Sequence, residues 1–198
     1  MKKLIIGLLA IAPAVFAAPQ DELSARLTKV KGFSAGFEQI ITDPDNRIIN
    51  KGTGTIAIKR PNFFRWHAKK PDENILVSDG RTLWHHNPYL DQVTAMWMEE
   101  AAAHTPFVLL TRNNSRDWRD YTVTQQGNHF ILVPKLTSNM KQFTVDVMPD
   151  GRITRFHVEE LDGQASRFIF NNIKVTTPAA NLFKFTVPKG VELDDQRQ

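Results

Sequence analysis

Residues 143–175 read FTVDVMPDGRITRFHVEELDGQASRFIFNNIKV, and this stretch decides the fold. Apolar and polar residues alternate along most of it, a period of two that is typical of strands with one buried face. The pairs Asp150-Gly151 and Asp162-Gly163 interrupt the alternation, and an Asp-Gly pair between such runs indicates a tight hairpin. The stretch therefore predicts consecutive antiparallel strands joined by short turns.

The same pattern continues towards the N-terminus. Asp79-Gly80, Asn87-Pro88 and Gly127-Asn128 each lie between runs rich in β-formers and predict further turns. No linker, repeat or low-complexity run divides the chain, and 198 residues suit one domain. Regularly spaced strands with tight turns are typical of an antiparallel meander. We therefore predict a mainly β fold with short helices, in which the sheet closes or half-closes as a barrel.

The first predicted helix lies near the N-terminus, from Asp21 to Val30. Leu23, Leu27 and Val30 recur there at i, i+4 and i+7, which places them on one helical face. Acidic residues at its start favour a helix N-terminus, and Gly32 just past its end favours termination.

The second predicted helix begins at Pro106, with Thr105 as its N-cap and Asn113 and Asn114 at its end. Its interior consists of Phe107, Val108, Leu109 and Leu110. A short helix that is apolar on nearly every side needs apolar surroundings on more than one face. We therefore expect this helix to be enclosed.

The first 18 residues, MKKLIIGLLAIAPAVFAA, have the order of a secretory signal peptide: two lysines, an apolar run, and small residues. The apolar run from Leu4 to Phe16 is shorter than the roughly 20 residues that a membrane span needs. We expect cleavage after Ala17, with Ala18 as the alternative. Residues 1–17 are then a signal peptide and residues 18–198 a single mature domain, which we expect in the bacterial periplasm.

The mature chain is expected to be a soluble species without a lipid anchor. The sequence has no cysteine, which excludes a disulfide framework and a lipidated N-terminal cysteine. Its formal charge of +4 falls to +2 once Lys2 and Lys3 are removed, and the charges are mixed. Nucleic-acid binding usually shows a concentrated basic stripe, so that class is disfavoured. No later stretch is apolar enough for stable membrane insertion.

No residue pattern predicts catalysis or a cofactor. The six histidines include the pair His85-His86, but neighbours on a strand point to opposite faces and cannot easily share one metal ion. The motif HExxH does not occur in the sequence, and we predict neither a nucleophile elbow nor a phosphate-binding glycine loop. We predict no metal, no cofactor and no catalytic residue, while an enzyme whose groups converge from distant positions stays open as an alternative.

The mature chain has a surplus of aromatic residues. It keeps all four tryptophans and most of the 13 phenylalanines. Two interpretations stay open: the rings fill the core of the sheet, or strands and the apolar helix enclose a cavity for an apolar ligand. In KRPNFFRW (residues 59–66), Arg60 stands beside Phe63, Phe64 and Trp66, so a charge adjoins an apolar run.

Several segments together resemble one family. KRPNFFRW (59–66), PDENILVSDGRTLWHHNP (71–88), TPFVLL (105–110), KQFTV (141–145) and VELDDQR (191–197) are similar, in order and spacing, to the periplasmic outer-membrane lipoprotein carrier protein family, LolA, of Gram-negative bacteria. The similarity extends over essentially the whole mature chain, although the tracts at 43–50 and 163–182 are less typical. The resemblance implies a half-open antiparallel β-barrel, covered by an α-helical lid and enclosing a hydrophobic cavity.

The resemblance also implies a function. A member of this family would be a periplasmic chaperone, not an enzyme, that accepts acylated lipoproteins from an inner-membrane ABC transporter complex. It would shield their acyl chains in the cavity and deliver them to an outer-membrane lipoprotein receptor. No nucleic acid, metal or cofactor takes part, and the carrier is expected to act as a monomer.

For individual residues, the resemblance implies that Arg60 is the latch whose hydrogen bonds hold the lid of the empty form closed. The lid is the helix from Pro106 to Leu110. The residues assigned to the acyl-chain cavity and the lid are Phe64, Trp66, Trp84, Phe107, Val108, Leu109 and Leu110. Trp66 is expected in the cavity lining, and Phe64 at the rim, where it contacts either the cargo or the transporter.

Alternatives from other classes stay open. An outer-membrane receptor of the same fold normally needs a lipidated cysteine, which this chain lacks. A periplasmic lipid sensor usually brings a second domain. A periplasmic lipid hydrolase would cleave what it binds. Intact lipoprotein, free lipid or cleaved product bound to the purified protein would separate carrier, sensor and enzyme.

Overall fold

The structure, a computed structural model, describes residues 17–100, 106–113, 115–136 and 138–197. The predicted signal peptide, apart from Ala17, lies outside these residues, as do Thr105 and Asn114 at the limits of the second predicted helix. Within the described ranges, no helix is both long and apolar enough to cross a membrane.

Strands dominate the described chain. They are β1 (Gly32–Thr42), β2 (Ile48–Lys59), β3 (Phe63–Lys70), β4 (Asn74–Asp79), β5 (Thr82–Asn87), β6 (Gln92–Trp97), β7 (Tyr121–Gln126), β8 (His129–Pro134), β9 (Met140–Val147), β10 (Ile153–Glu160), β11 (Ala165–Lys174) and β12 (Glu192–Asp195). The helices are α1 (Pro19–Thr28), α2 (Pro106–Arg112) and α3 (Ser115–Trp118), with a 3₁₀ turn at Ala180–Phe183 and a helical stretch at 98–100. The prediction of a mainly β fold with short helices is confirmed.

The strands form one sheet in the order β12-β6-β5-β4-β3-β2-β1-β11-β10-β9-β8-β7. The strand β1 pairs antiparallel with β2 on one side and with β11 on the other. The sheet stays open, with β12 and β7 as its edges, which confirms the half-open form. The final strand departs from the antiparallel prediction, because β12 pairs parallel with β6. Parallel pairing requires a crossover, and here the chain after β11 supplies it.

The two hairpins predicted from Asp-Gly pairs in residues 143–175 are confirmed. Asp150-Gly151 joins β9 to β10, and Asp162-Gly163 joins β10 to β11. The two glycines have φ angles of 90° and 87°, a region that glycine adopts at little cost and other residues avoid. The resulting register pairs Phe156 directly with Phe168, which lie face to face on the inner side of the sheet.

The inner face of the sheet is the one against which α1 and α2 pack, and it carries the main hydrophobic core. Alternate residues of the strands project into it, because successive strand residues point to opposite faces. The largest buried side chains of this core are Phe37, Phe64, Phe130, Phe143, Leu23, Leu27, Ile56, Ile58, Leu83, Leu110 and Leu132. The core therefore joins both helices to the middle of the sheet.

Helix α1 is displaced by two residues from its predicted position. It begins at Pro19, because proline suits the first turn, where its missing N–H needs no partner. It ends at Thr28, whose hydroxyl donates to the carbonyl of Ala25 at 2.7 Å. Leu23 and Leu27 are fully buried as predicted, whereas Val30 is buried beyond the end of the helix.

A second, smaller apolar layer lies on the outer face of the sheet. Val77 and Ala95 are fully buried, and each pairs with Trp84 across the strands. The C-terminal segment covers this layer: Phe183 contacts Phe63, with ring centroids 5.9 Å apart. Both faces of the sheet are thus apolar in this region, one beneath the helices and one beneath the C-terminal segment.

Candidate lid and apolar interior

Helix α2 packs its apolar side chains into the inner core. Phe107, Val108, Leu109 and Leu110 are all between 0% and 6% exposed. The one hydroxyl in this stretch, on Thr111, donates to the carbonyl of Val108 at 2.7 Å and is therefore satisfied within the helix. The short apolar helix is enclosed by the sheet and its neighbours.

Phe107 lies at the centre of an aromatic cluster beneath α2. Its ring lies edge-on to Phe64 and Trp66, at centroid distances of 6.1 and 5.6 Å, and 5.3 Å from Phe156. Trp66 in turn stacks on Phe37 at 3.9 Å. Such aromatic pairs contribute about 0.5–1.5 kcal/mol each beyond their burial. The side chains of α2 therefore fill the space that the resemblance assigns to acyl chains.

Phe64 lies deeper than the rim position expected for it. It is 1% exposed and belongs to the main core. The reason is the strand register: Phe64 pairs with Ile58, whose side chain is buried in the same core, while Phe63 takes the outer face. Any contact of Phe64 with a cargo or partner therefore requires α2 to move first.

Trp84 faces the opposite side of the sheet, so its predicted place in the interior is wrong. Its indole stacks on Phe185 at 5.6 Å, and the guanidinium of Arg197 lies 4.8 Å from the ring. Its neighbour Leu83 belongs to the inner core, and strand alternation turns Trp84 outward. The sequence pattern did not reveal that the C-terminal segment covers a second apolar face.

Arg60 connects α2 to the segment that follows α1. Its Nη1 donates to the carbonyl of Leu110, and its Nε donates to the carbonyl of Val30 at 3.0 Å. Carbonyls at the C-terminal end of a helix lack partners within the helix, and a guanidinium carries several donors that suit them. Burial lowers the pKa of Arg60 to about 10, so the side chain remains charged at neutral pH.

Asn113 makes a second connection to α2, which the sequence analysis predicted only as a helix end. It has a φ angle of 47°, a left-handed conformation that asparagine tolerates. Its amide donates to the carbonyl of Ser24 in α1 at 3.0 Å, and its Oδ1 accepts from the indole of Trp118 at 3.2 Å. The C-terminal end of α2 is therefore tied to both neighbouring helices.

Arg26, which the sequence analysis missed, fastens α1 to the sheet. Its Nε donates to Glu22 at 2.7 Å, and its Nη1 donates to the Oδ1 of Asn128 at 2.7 Å and to the carbonyl of Val147 at 2.8 Å. The side chain is 8% exposed. The sequence did contain a signal for this role: Arg26 directly precedes the apolar Leu27 and follows Glu22 by four residues, the spacing of a helical ion pair.

The histidine pair has the arrangement expected from strand alternation. His86 lies on the outer face, 6.0 Å from the ring of Phe185. Burial lowers the pKa of His85, and the neighbouring His86 lowers it further. In the part of the chain that the structure describes, no three histidine, cysteine or acidic side chains are placed to hold a metal ion.

These features define a class of protein: a mainly β protein with an open sheet, whose apolar inner face is covered by helices, and in which an arginine and an asparagine hold the short apolar helix α2 in place. The family model of the outer membrane lipoprotein carrier protein LolA matches residues 28–186. Relatives of known family are similar to this chain in sequence, over nearly its whole length.

An outer-membrane lipoprotein carrier protein from Photobacterium profundum is 51% identical, over 98% of this chain and 100% of its own. One from Aliivibrio salmonicida is 48% identical over 100% of both chains. The crystal structure of an uncharacterized conserved protein from Thermus thermophilus superimposes with a TM-score of 0.53 at 12% identity, covering 90% of this chain and 97% of that one, a likeness of fold alone. This chain belongs to the LolA family, which confirms the resemblance.

Proposed function

We propose that this protein is a periplasmic chaperone that accepts acylated outer-membrane lipoproteins from an inner-membrane ABC transporter complex. It shields their acyl chains in its apolar interior and delivers them to an outer-membrane lipoprotein receptor. Membership of a family named for lipoprotein carriage supports this role. Export by a signal peptide at residues 1–17, a single mature domain at 18–198, action as a monomer, and the absence of catalysis belong to the same proposal.

The observation that carries the proposal is the burial of α2. Four consecutive apolar side chains of a seven-residue helix are buried, and the first of them, Phe107, lies against the aromatic rings of Trp66 and Phe156. An acyl chain has the same chemistry as these side chains, because it is flexible, apolar and without hydrogen-bonding groups. The interior is therefore suited to exchange one apolar occupant for another, with α2 leaving as acyl chains enter.

The energies favour such an exchange. Each methylene kept out of water contributes about 0.8 kcal/mol, so a lipoprotein with several acyl chains needs a carrier between membranes. A neutral hydrogen bond contributes a net 0.5–1.5 kcal/mol or so, and somewhat more when one partner is charged. The bonds of Arg60 to two carbonyls are thus strong enough to bias α2 towards the closed position. They are weak enough for a few buried methylenes to outweigh.

In this proposal the latch is Arg60 and the lid is α2. Phe64 and Trp66 line the acyl site once α2 has moved, while Trp84 has no part in it. The cargo is released to the receptor down a gradient of affinity, as α2 returns to the interior and Arg60 recovers its two carbonyl partners.

Displacement of an environment-sensitive apolar dye from the purified mature chain tests this function. A triacylated cysteine peptide is expected to displace the dye, whereas its unacylated twin is not. Trp66→Ala is expected to weaken the displacement, because it removes a ring from the site. Tyr89→Ala is the matched control, since that ring is 85% exposed. Equal behaviour of the acylated and unacylated peptides would contradict the proposal.

A further inference from the structure

The two edges of the sheet differ in length and charge. The edge strand β12 (Glu192–Asp195) has only four residues, and Glu192, Asp194 and Asp195 carry carboxylates. Short length and charge are among the means by which proteins keep an edge strand from pairing with another chain. The opposite edge strand, β7 (Tyr121–Gln126), has six residues, YTVTQQ, and none is charged at neutral pH. The edge at β7 therefore carries neither protection.

The strand β7 has one paired side and one open side. Each of its residues, from Tyr121 to Gln126, lies opposite a residue of β8, and no other strand of the described ranges joins it. In an antiparallel pair, alternate residues direct their N–H and C=O groups to the neighbouring strand, and the residues between them direct theirs away. The outward groups can accept one more extended chain as an added strand. Because β8 holds β7 along its whole length, this edge remains when α2 moves.

The inner face of β7 is continuous with the apolar interior. Val123 packs against the main core and lies opposite Leu132 of β8, which in turn lies opposite Phe143 of β9. The ring of Phe143 lies 5.9 Å from that of Phe156, which contacts Phe107 of α2 at 5.3 Å. Neighbouring strands lie about 4.8 Å apart, so β7 lies roughly 20 Å from the ring of Phe107. The edge therefore borders the interior in which acyl chains are proposed to lie.

The chemistry of β7 suits an uncharged polypeptide in extended form. Thr122, Thr124 and Gln126 are exposed and present hydroxyl and amide groups. Main-chain hydrogen bonds supply the affinity when a strand is added to a sheet edge. The polypeptide of an acylated cargo begins at the acyl site, and an extended chain covers about 3.5 Å per residue. About six residues therefore reach from the interior to β7, and those that follow can lie along it.

We propose that the open edge of β7 binds the polypeptide that follows the acylated cysteine of the cargo, as an added β-strand. The outward N–H groups of β7 donate to carbonyls of the cargo, and its outward carbonyls accept from cargo N–H groups. This assignment rests on the proposed function, since it requires acyl chains in the interior. The cargo is then held by two kinds of contact, an apolar one in the interior and a backbone one at the sheet edge. Since backbone groups are common to all residues, cargo proteins of different sequence can share the site.

Disulfide trapping tests for this added strand. The sequence contains no cysteine, so one substitution introduces the only thiol of the chain. The probe is a triacylated cysteine, whose own sulfur is blocked, extended by about twelve uncharged residues, which span roughly 40 Å when extended. In separate probes, each residue of the second half of this extension is replaced in turn by cysteine.

Thr124→Cys should form disulfides with alternate positions of the probe. Residues directly opposite each other on neighbouring strands have Cβ atoms about 4.5–5.5 Å apart, and every second one points to the same face. The yield at these positions should exceed that at the positions between them by about fivefold or more. Leu193→Cys is the matched control, because Leu193 lies in the other edge strand, β12, and is 42% exposed. It should give low yields without alternation.

Amide hydrogen exchange of the wild-type mature chain gives a second readout. Alternate amides of β7 should exchange at least about tenfold more slowly with the extended probe than with a triacylated cysteine amide. Unchanged exchange there, or trapping without alternation, would overturn the added strand and leave the carrier function standing. Failure of both probes to bind would overturn the carrier function itself. A covalent dimer formed by Thr124→Cys alone, but not by Leu193→Cys, would overturn the assignment, because β7 would then pair with a second copy of this chain.

Discussion

Arg26 and Arg60 are two arginines withdrawn from solvent in the same fold, and they differ in what they bind. Arg26 pairs with the carboxylate of Glu22, a side-chain amide and one carbonyl, and it holds α1 against the sheet. The guanidinium of Arg60 donates to the backbone carbonyls of Val30 and Leu110, and it holds α2. One arginine belongs to an ion pair, while the other has neutral acceptors.

In the proposed function, this difference distinguishes a helix that stays in place, α1, from one that is released, α2. Removing Arg26 leaves the carbonyl of Val147 and the Oδ1 of Asn128 without their donor, and each buried polar group left unpaired costs about 1–3 kcal/mol. A carbonyl at a helix end that loses an arginine is hydrated as soon as the helix moves into water, so the net loss is closer to 1 kcal/mol. Arg26 is therefore expected to contribute more to the attachment of α1 than Arg60 contributes to the attachment of α2.

The largest effect is expected from Arg26→Leu. It should lower the free energy of unfolding by about 3 kcal/mol, since it leaves a carbonyl and a side-chain amide oxygen without their donor and removes the ion pair with the partly exposed Glu22. Urea unfolding of the mature chain measures this value. The control is Arg152→Leu, whose ion pair with Asp150 lies in an exposed turn and should contribute little to stability. Equal losses in both variants would remove the distinction on which the comparison rests.

Phe107→Ala should have the next largest effect. Removing a buried phenylalanine ring usually costs about 3–5 kcal/mol. Here we expect about 2 kcal/mol, because a releasable helix can leave the core instead of preserving a cavity. The same variant should bind an apolar dye more tightly than the wild-type chain. A full loss of 4 kcal/mol or so without added dye binding would mean that α2 is as fixed as α1.

Arg60→Leu should have a smaller effect on stability and a clear effect on binding. We expect a loss of about 1 kcal/mol in unfolding, and cargo affinity about fivefold higher, because the closed form loses its latch. In cells the variant should accumulate bound lipoprotein. Arg65→Leu is the matched control, since Arg65 lies five residues further along, in β3, and lines a groove on the outer face. Unchanged ratios of bound to free carrier in Arg60→Leu would exclude the latch.

The smallest effect concerns pH, which should act independently of both arginines. Burial lowers the pKa of His157, and the nearby Arg167 lowers it further. The unfolded chain therefore binds a proton first as the pH falls below about 6.5, and stability decreases there. His157→Gln should slightly reduce the loss of stability between pH 7.5 and 5.5. Urea unfolding at the two pH values measures it, and an unchanged pH dependence would mean that other groups cause it.

Much of the fold was predictable because its signals are local. The Asp-Gly pairs at 150–151 and 162–163 mark turns whose glycines have positive φ angles, and alternation marks the strands between them. The parallel pairing of β12 with β6 was not predictable, since it depends on where the C-terminal segment crosses the sheet. The C-terminal segment covers the outer face of the sheet, where Trp84 lies. A large apolar residue suggested the inner face, because the sequence does not show that the outer face is covered as well.

The site was predictable in part for the same reason. The apolar run at 107–110 and the charge of Arg60 stand out in the sequence, and the structure brings both to one place. The depth of Phe64 depends on strand register, and the roles of Arg26 and Asn113 depend on partners more than 80 residues away in the chain. Composition carries no information about such contacts between distant segments.

Amide hydrogen exchange of α2, with and without a saturating triacylated peptide, tests most directly whether cargo replaces the lid. Ligands usually slow amide exchange where they bind. If cargo displaces α2, exchange in α2 becomes faster instead, so the two explanations predict opposite changes in the exchange rate. The exchange model predicts that the amides of residues 106–113 exchange at least about tenfold faster in the complex, an opening of about 1.4 kcal/mol. The amides of α1 should change little. Equal or slower exchange in α2 at saturation would contradict the claim that acyl chains take its place.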